Sequence, residues 1–244
     1  MRNIFLKISF DGRNYHGFQI QPNAITVQEV LEKTLSKITG EDISVVGCSR
    51  TDSGVHANEF CLNFKTENTI PLQGLLRALN SNLPEDIAVL SAELRDNDFH
   101  SRYSAKEKEY RYLIYNSKIK NPFMAGKTLF YDREIDVSLL KKACKRFLGK
   151  HDFAAFSASG REYKSTVRTI KSFTIKKKGD IVEITVSADG FLYNMVRILV
   201  GTLLEVNEKR INVKDISKII EKKERIGAGR TVSGEGLYLN RVIY

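Results

Sequence analysis

The ten residues from 48 to 57, CSRTDSGVHA, combine an arginine, an aspartate, three hydroxyl groups, a glycine and a histidine. A short β-branched run precedes them, and alternating apolar residues follow, a pattern typical of two strands paired around a polar loop. The loop is longer than most hairpin connections, and such loops on rigid supports often carry function. The alternative is a solvated loop in which Asp52 and Ser53 only make local turn bonds.

Asp52 is the candidate catalytic residue of this loop. A carboxylate here could serve as a nucleophile, a base, a metal ligand or a turn residue. To stay ionised in a partly dry site it needs a nearby cation. Arg50 lies two residues away, and that spacing in an extended backbone puts both side chains on the same side. Arg50 could therefore pair with Asp52 or reach an RNA phosphate or base.

Two further candidates lie later in the chain. Tyr110 stands in KEYRY, where aromatic and basic residues alternate. Such strands stack nucleic-acid bases, although alternating tyrosines are also ordinary sheet residues. Arg197 stands at the start of an apolar helical segment, where a cation is usually solvated. It acquires a function if it points into a cleft and meets an anion, for which Asp52 is one candidate.

Composition narrows the class of partner. Lysine and arginine total 39 of the 244 residues, against 29 acidic residues, a net charge of +10. That excess favours a polyanionic partner, RNA or DNA before an anionic membrane surface. We expect no membrane span and no signal peptide, because no long apolar run or charged leader is present. Three cysteines without CxxC spacing and four scattered histidines indicate a reducing cytoplasm, no zinc site and no disulfide frame.

The order of predicted elements gives the fold. Strand, helix, strand, strand, helix and strand follow one another twice, which is the ferredoxin-like order. We predict an α+β fold in which two βαββαβ halves join into one antiparallel sheet, with helices on one face and an RNA cleft on the other. Residues 1–104 form the half with the Asp52 loop, and residues 105–244 form the half with the tyrosine strand and the arginine helix.

Local signals mark some of these elements. Thr26 can cap the first helix, Glu29 three residues later completes a capping box, and Gly40 can end the helix. Residues 166–177 and 181–188 are predicted to form a strand pair around residues 178–180.

Several blocks of the chain resemble one family. SRTDSGVHA resembles the G-R-T-D-x-G-V-H-A motif of the TruA family of tRNA pseudouridine synthases, with Ser49 where the family often has glycine. Further blocks stand in the family's order and together span nearly the whole chain. They are FDGRNYHGFQIQ at 10–21, TVQEVLE at 26–32, FHSRYSAKEKEYRYLIYN at 99–116, GKHDFAAF at 149–156, FLYNMVRILVG at 191–201 and GEGLYL at 234–239.

The resemblance implies a reaction and site residues. It implies cofactor-free isomerisation of uridine to pseudouridine at positions 38 to 40 of the tRNA anticodon arm, by a cytoplasmic homodimer. Asp52 matches the family's essential aspartate, and Tyr110 matches the tyrosine that packs against the uracil and could assist proton transfer at C5. Arg197 matches the basic partner of the aspartate, and Arg50 an arginine that helps displace the target nucleotide. Two alternatives stay open: a synthase acting on ribosomal RNA, and a non-catalytic RNA-binding module.

Overall fold

The computed structural model describes residues 1–244 and divides into two compact units. The first comprises Met1–Lys106 and Tyr238–Tyr244, and the second comprises Glu107–Leu237. The predicted α+β class is confirmed, with five α-helices and ten strands. The units divide near the predicted boundary between residues 104 and 105, but the last strand groups with the first unit rather than closing the second.

The first unit has the predicted βαββαβ order. Its strands run in the order β4-β1-β3-β10, with β2 beside β3. All pairs are antiparallel except β10, which runs parallel to β3 with Tyr238 opposite His56. The elements are β1 (Arg2–Phe10), α1 (Val27–Thr39), β2 (Val45–Gly47), β3 (His56–Thr66), α2 (Leu72–Asn82), β4 (Ile87–Arg95) and β10 (Leu237–Ile243).

The second unit keeps the predicted β8–β9 hairpin and adds two short strands that the sequence pattern did not indicate. Its strands run in the order β5-β9-β8-β7, all antiparallel, and β6 pairs parallel with β5, so the pairing is mixed. The elements are β5 (Glu107–Asn116), β6 (Leu129–Tyr131), α3 (Val137–Lys145), β7 (Gly149–Asp152), β8 (Val167–Lys178), β9 (Ile181–Ala188), α4 (Met195–Asn207) and α5 (Asp215–Lys222).

Helix α1 confirms its sequence signals at both ends. Thr26 Oγ1 accepts the N–H of Glu29 at 3.3 Å, and Gly40 ends the helix in the left-handed region at φ 75°. The capping box is only half formed, because the Glu29 carboxylate pairs with Lys33 Nζ at 2.6 Å instead of turning back. The helix also fixes the segment before it, since the N–H of Val27 donates to the carbonyl of Gly17.

Strand β1 is buried on both faces from Asn3 to Leu6. Phe5 is fully buried because the rings of Phe99 and Tyr244 pack edge-on against it, with centroids 5.4 and 5.3 Å away. On the same side, Asn3 Nδ2 donates to the carbonyl of Phe99 at 3.0 Å. The segment that follows β4 therefore crosses the face of β1 that carries Asn3 and Phe5.

Candidate active site

The predicted loop connects β2 to β3 and spans residues 48–55. The N–H of Cys48 donates to the carbonyl of Cys61 at 2.8 Å, which extends the pairing of the two strands to the start of the loop. A turn at Ser53-Gly54 follows, closed by the N–H of Val55 donating to the carbonyl of Asp52 at 3.2 Å. Asp52 is half-buried, so its side chain stands at the surface of a backbone fixed at both ends.

The segment between β1 and α1 braces this loop. The carbonyl of Tyr15 accepts from Gly54 N at 3.3 Å and from Ser53 Oγ at 3.4 Å. Gly17 approaches so closely that a Cβ on it would lie 2.3 Å from the carbonyl oxygen of Thr51. A Cβ on Gly12 would likewise lie 2.0 Å from the carbonyl oxygen of Val55. Two glycines therefore allow the bracing segment to contact the loop on both sides of Asp52.

His56 fixes the end of the loop, and it is not among the site residues predicted from the sequence. It is 2% exposed, its Nδ1 accepts the N–H of Gly12 at 3.1 Å, and its ring stacks on Tyr238. Nδ1 also lies 3.1 Å from Asp11 Oδ1. Burial acts to raise the pKa of Asp11, but the hydrogen bonds from Arg13 lower it overall. His56 thus positions the loop through the backbone of Gly12.

Arg50 and Thr51 differ in environment, although they are neighbours. Arg50 is exposed and makes no hydrogen bond or ion pair, so it does not pair with Asp52 in this structure. Thr51 is 9% exposed, and its hydroxyl is buried without a hydrogen-bond partner. The loop therefore presents an exposed cation directly before a residue with a buried hydroxyl.

Of the four predicted site residues, Tyr110 and Arg197 lie in the second unit. Tyr110 stands on β5 opposite Val186 and is 7% exposed. The ring of Phe191 packs edge-on against it, with centroids 5.0 Å apart. The predicted alternation is confirmed, because Tyr110, Tyr112 and Ile114 are all buried on one side of β5. Tyr110 is thus a fixed aromatic, not an exposed one.

Arg197 lies in the first turn of α4, where a cation opposes the helix dipole. Its Nε donates to the carbonyl of Val232 at 2.7 Å, and its Nη1 donates to Asn194 Oδ1 at 2.7 Å. Asn194 stands at the N-cap position but caps no backbone N–H. A residue type suited to capping is therefore used to orient the guanidinium instead.

The segment after the last helix braces Arg197 and Tyr112, the residue two positions after Tyr110 on β5. Val232 binds Arg197, and the carbonyl of the next residue, Ser233, accepts the Tyr112 hydroxyl at 2.8 Å. Burial raises the pKa of Tyr112, so this hydroxyl stays protonated as a donor. Residues 232 and 233, directly before the block GEGLYL, thus tie the arginine helix to the tyrosine strand within the second unit.

No helix of the structure has both the length and the apolar character that crossing a membrane requires. No cluster of three or more His, Cys, Asp or Glu side chains is arranged to hold a metal ion.

Comparison with known proteins gives matches along the whole chain. A family model described as tRNA pseudouridine synthase matches residues 7–104 and 143–244. Proteins named tRNA pseudouridine synthase A are 47% identical in Thermoanaerobacter sp. (strain X514) and 48% identical in Clostridium botulinum (strain Eklund 17B / Type B), with 100% of both chains covered. A chain from a crystal structure of a Cbf5-Nop10-Gar1 complex covers 96% of this chain and 57% of its own length, but its TM-score of 0.40 and identity of 11% are too low to add to this.

Proposed function

This chain belongs to the tRNA pseudouridine synthase family, and we propose that it isomerises uridine to pseudouridine at positions 38 to 40 of the tRNA anticodon arm, with Asp52 as the essential carboxylate. The observation that carries the proposal is the loop of residues 48–57. It combines the sequence SRTDSGVHA with a backbone bonded on both sides of Asp52. The full-length relatives named tRNA pseudouridine synthase A support the choice of tRNA.

The proposed reaction needs no external reagent. The bond from uracil N1 to ribose C1′ breaks, the held base turns, and C5 bonds to C1′. C5 then loses its proton and N1 gains one, so atoms and electrons balance. Asp52 acts by attack at C1′, by addition to the base or by removal of a ribose proton. Each of these three routes needs an ionised carboxylate near the sugar or the base.

The other site residues take supporting roles in this proposal. Tyr110 packs against the uracil, and its fixed ring suits that task. Arg197 serves as the basic residue of the site, and its guanidinium is oriented for a task by Val232 and Asn194 at a helix end that otherwise disfavours a cation. Arg50 helps displace the target nucleotide, a step that costs a few kcal/mol of stacking. Its exposure and lack of an ion pair leave it available for the RNA.

We also propose that the enzyme works in the cytoplasm as a homodimer with tRNA across both subunits. The net charge of +10 suits this large polyanion. The dimer is checked by sedimentation of the purified protein with and without tRNA.

The decisive experiment replaces Asp52 by Asn, which keeps the size of the side chain and removes its charge. We expect Asp52→Asn to bind tRNA with the wild-type Kd and to form no pseudouridine. Asp98→Asn is the matched control, because Asp98 is exposed and makes no ion pair, and it should keep full activity. Full turnover by Asp52→Asn would remove the proposed role.

A second measurement tests the substrate. Pseudouridine is mapped across total RNA from cells with and without the gene, and we expect sites 38 to 40 of tRNA to be lost. Loss of pseudouridine from ribosomal RNA instead would show that the chain is a synthase acting on ribosomal RNA. A wild-type protein that binds tRNA but converts none would show that it is a non-catalytic RNA-binding module.

A further inference from the structure

The turn of residues 100–104, within the block that precedes β5, exposes a large aromatic ring. Tyr103 is 76% exposed, the imidazole of His100 stacks on it with centroids 4.2 Å apart, and the guanidinium of Arg102 lies 5.6 Å from its ring centroid. Most of the ring surface stays open beside these two neighbours. The exposed ring offers an aromatic surface on which a nucleic-acid base can stack.

Local hydrogen bonds make this turn rigid. The N–H of Ser104 donates to the carbonyl of His100 at 2.9 Å, and the N–H of His100 donates to Ser104 Oγ at 3.2 Å. His100 Nδ1 accepts the N–H groups of both Arg102 and Tyr103, at 3.1 and 3.3 Å. The Tyr103 ring is therefore held ready, and a ligand that stacks on it orders little additional backbone.

The turn is also anchored to the sheet of the first unit. The N–H of Ser101 donates to the buried Asn63 Oδ1 at 2.8 Å, and Tyr244 donates its hydroxyl to the Ser101 carbonyl at 2.9 Å. Asn63 stands on β3, seven residues after His56. His56 is the first residue of β3 and directly follows the Asp52 loop. At about 3.3 Å per residue, that separates this anchor from the start of β3 by roughly 23 Å. The turn is thus a place distinct from the Asp52 loop.

The charge beside the ring fits a polyanion. Arg102 is exposed and makes no ion pair, so neither Asp98 nor Glu107, the nearest acidic residues along the chain, is paired with it. An aromatic ring next to an unpaired guanidinium is the pair of groups that binds single-stranded nucleic acid, because the ring stacks on a base and the cation meets a phosphate.

We propose that this turn is a second RNA contact, where an unpaired base of the substrate RNA stacks on Tyr103 and Arg102 binds an adjacent phosphate. The choice of RNA as ligand rests on the function proposed above. The contact tightens binding and leaves the chemical step at Asp52 unaltered.

The test compares variants for binding to a fluorescently labelled tRNA. Tyr103→Ala should raise Kd by about 5- to 150-fold, the range that loss of one base–aromatic stack gives. Tyr103→Phe keeps the ring and should bind like wild type. Arg102→Gln should weaken binding and reduce the slope of log Kd against log salt by about one. Phe123→Ala is the matched control, because Phe123 is 86% exposed in the second unit, and it should not change Kd.

Activity measurements separate this inference from the proposed function. For Tyr103→Ala we expect a raised KM and a wild-type kcat at saturating tRNA. A wild-type protein that binds tRNA but forms no pseudouridine would refute the proposed function. The comparison of Kd values would still test the second RNA contact. Equal Kd values for Tyr103→Ala, Phe123→Ala and wild type would overturn the second contact. A change in sedimentation with unchanged Kd would also overturn it, since it would assign the ring to protein association.

Discussion

Gly17 is the residue through which the bracing segment reaches the Asp52 loop, and Gly17→Ala tests that arrangement. Gly17 has φ +89°, a conformation that an L side chain adopts at a cost of about 1–2 kcal/mol. Its new Cβ would also stand 2.3 Å from the carbonyl oxygen of Thr51, which the loop cannot tolerate without moving. Overpacking of this kind costs about 1–3 kcal/mol. Together these predict a fall of about 2–5 kcal/mol in the free energy of unfolding.

Gly40→Ala is the matched control for this prediction. Gly40 has φ +75°, but nothing lies within 4 Å of the position its Cβ would take. It carries the backbone strain without the clash, so we expect a loss of only about 1–2 kcal/mol. The difference between the two variants in urea unfolding isolates the contact between Gly17 and Thr51.

Activity gives the second measurement on the same pair. Thr51 precedes Asp52, so a loop displaced by the new methyl group also displaces the carboxylate. A misplacement of about 1 Å can cost about 100-fold in rate, and we expect a fall of that size in kcat/KM for Gly17→Ala. Gly40→Ala should keep wild-type kcat/KM. If the two variants lose the same stability and keep the same kcat/KM, the loop is not fixed by Gly17.

Three further predictions concern single groups. Tyr110→Phe keeps the ring that packs on Phe191, so the Kd for tRNA should stay unchanged. We expect kcat to fall about 100-fold, the size of a general acid–base contribution. An unchanged kcat would show that the hydroxyl is dispensable. Thr51→Val removes a buried hydroxyl without a partner and should raise the free energy of unfolding by about 1 kcal/mol in urea, whereas a loss would indicate an unseen bond. Glu208 is 4% exposed and pairs with Arg230; burial raises its pKa, but Arg230 and neighbouring charges lower it overall. A carboxyl group whose pKa is lowered by folding stabilises the protein above about pH 4.3, and this stabilisation is lost as pH falls through its pKa in the folded state. Glu208→Gln should therefore lower the free energy of unfolding by about 1–3 kcal/mol at pH 7 and by much less at pH 3. A difference independent of pH would refute this reasoning.

The sequence predicts most elements because their signals are local. The apolar periodicity of the helices, the Thr26 cap and the Gly40 end are all read from neighbouring residues, and the structure confirms them. Two short strands, β6 and β7, escape prediction because three or four residues carry no period of their own. Their pairing with β5 and β8 is decided by the strands beside them.

Strand β10 shows a second limit of prediction from sequence. Its position along the chain places β10 in the second half of the sequence, yet from Tyr238 onward the strand belongs to the first unit, where it pairs parallel with β3. Strand propensity does not record which edge a strand will join, because a parallel partner is chosen by the connection and the available edge. The burial of Phe5 under Phe99 and Tyr244 is unpredicted for the same reason, since both covering residues are distant in sequence.

The candidate site likewise contains some residues that the sequence points to and others that it does not. The type and spacing of its residues make Asp52 and Arg50 candidates, because a carboxylate and a cation in a polar loop are visible in the sequence alone. The groups that position them are not visible in this way. Gly12, Gly17 and His56 act through backbone approach and burial, which the sequence records only as two glycines and a histidine.

These positioning groups explain why one loop can be both polar and well placed. A loop rich in hydroxyl and charged side chains gains little from burial, so its own residues cannot fix its shape. Here its shape is imposed by the segment of residues 12–17, which α1 holds in turn through the bond from Val27 to Gly17. Position is thus supplied by the elements around the loop, and the loop itself is left with polar residues for chemistry. Changes in the bracing segment should therefore alter kcat without touching any group that reacts.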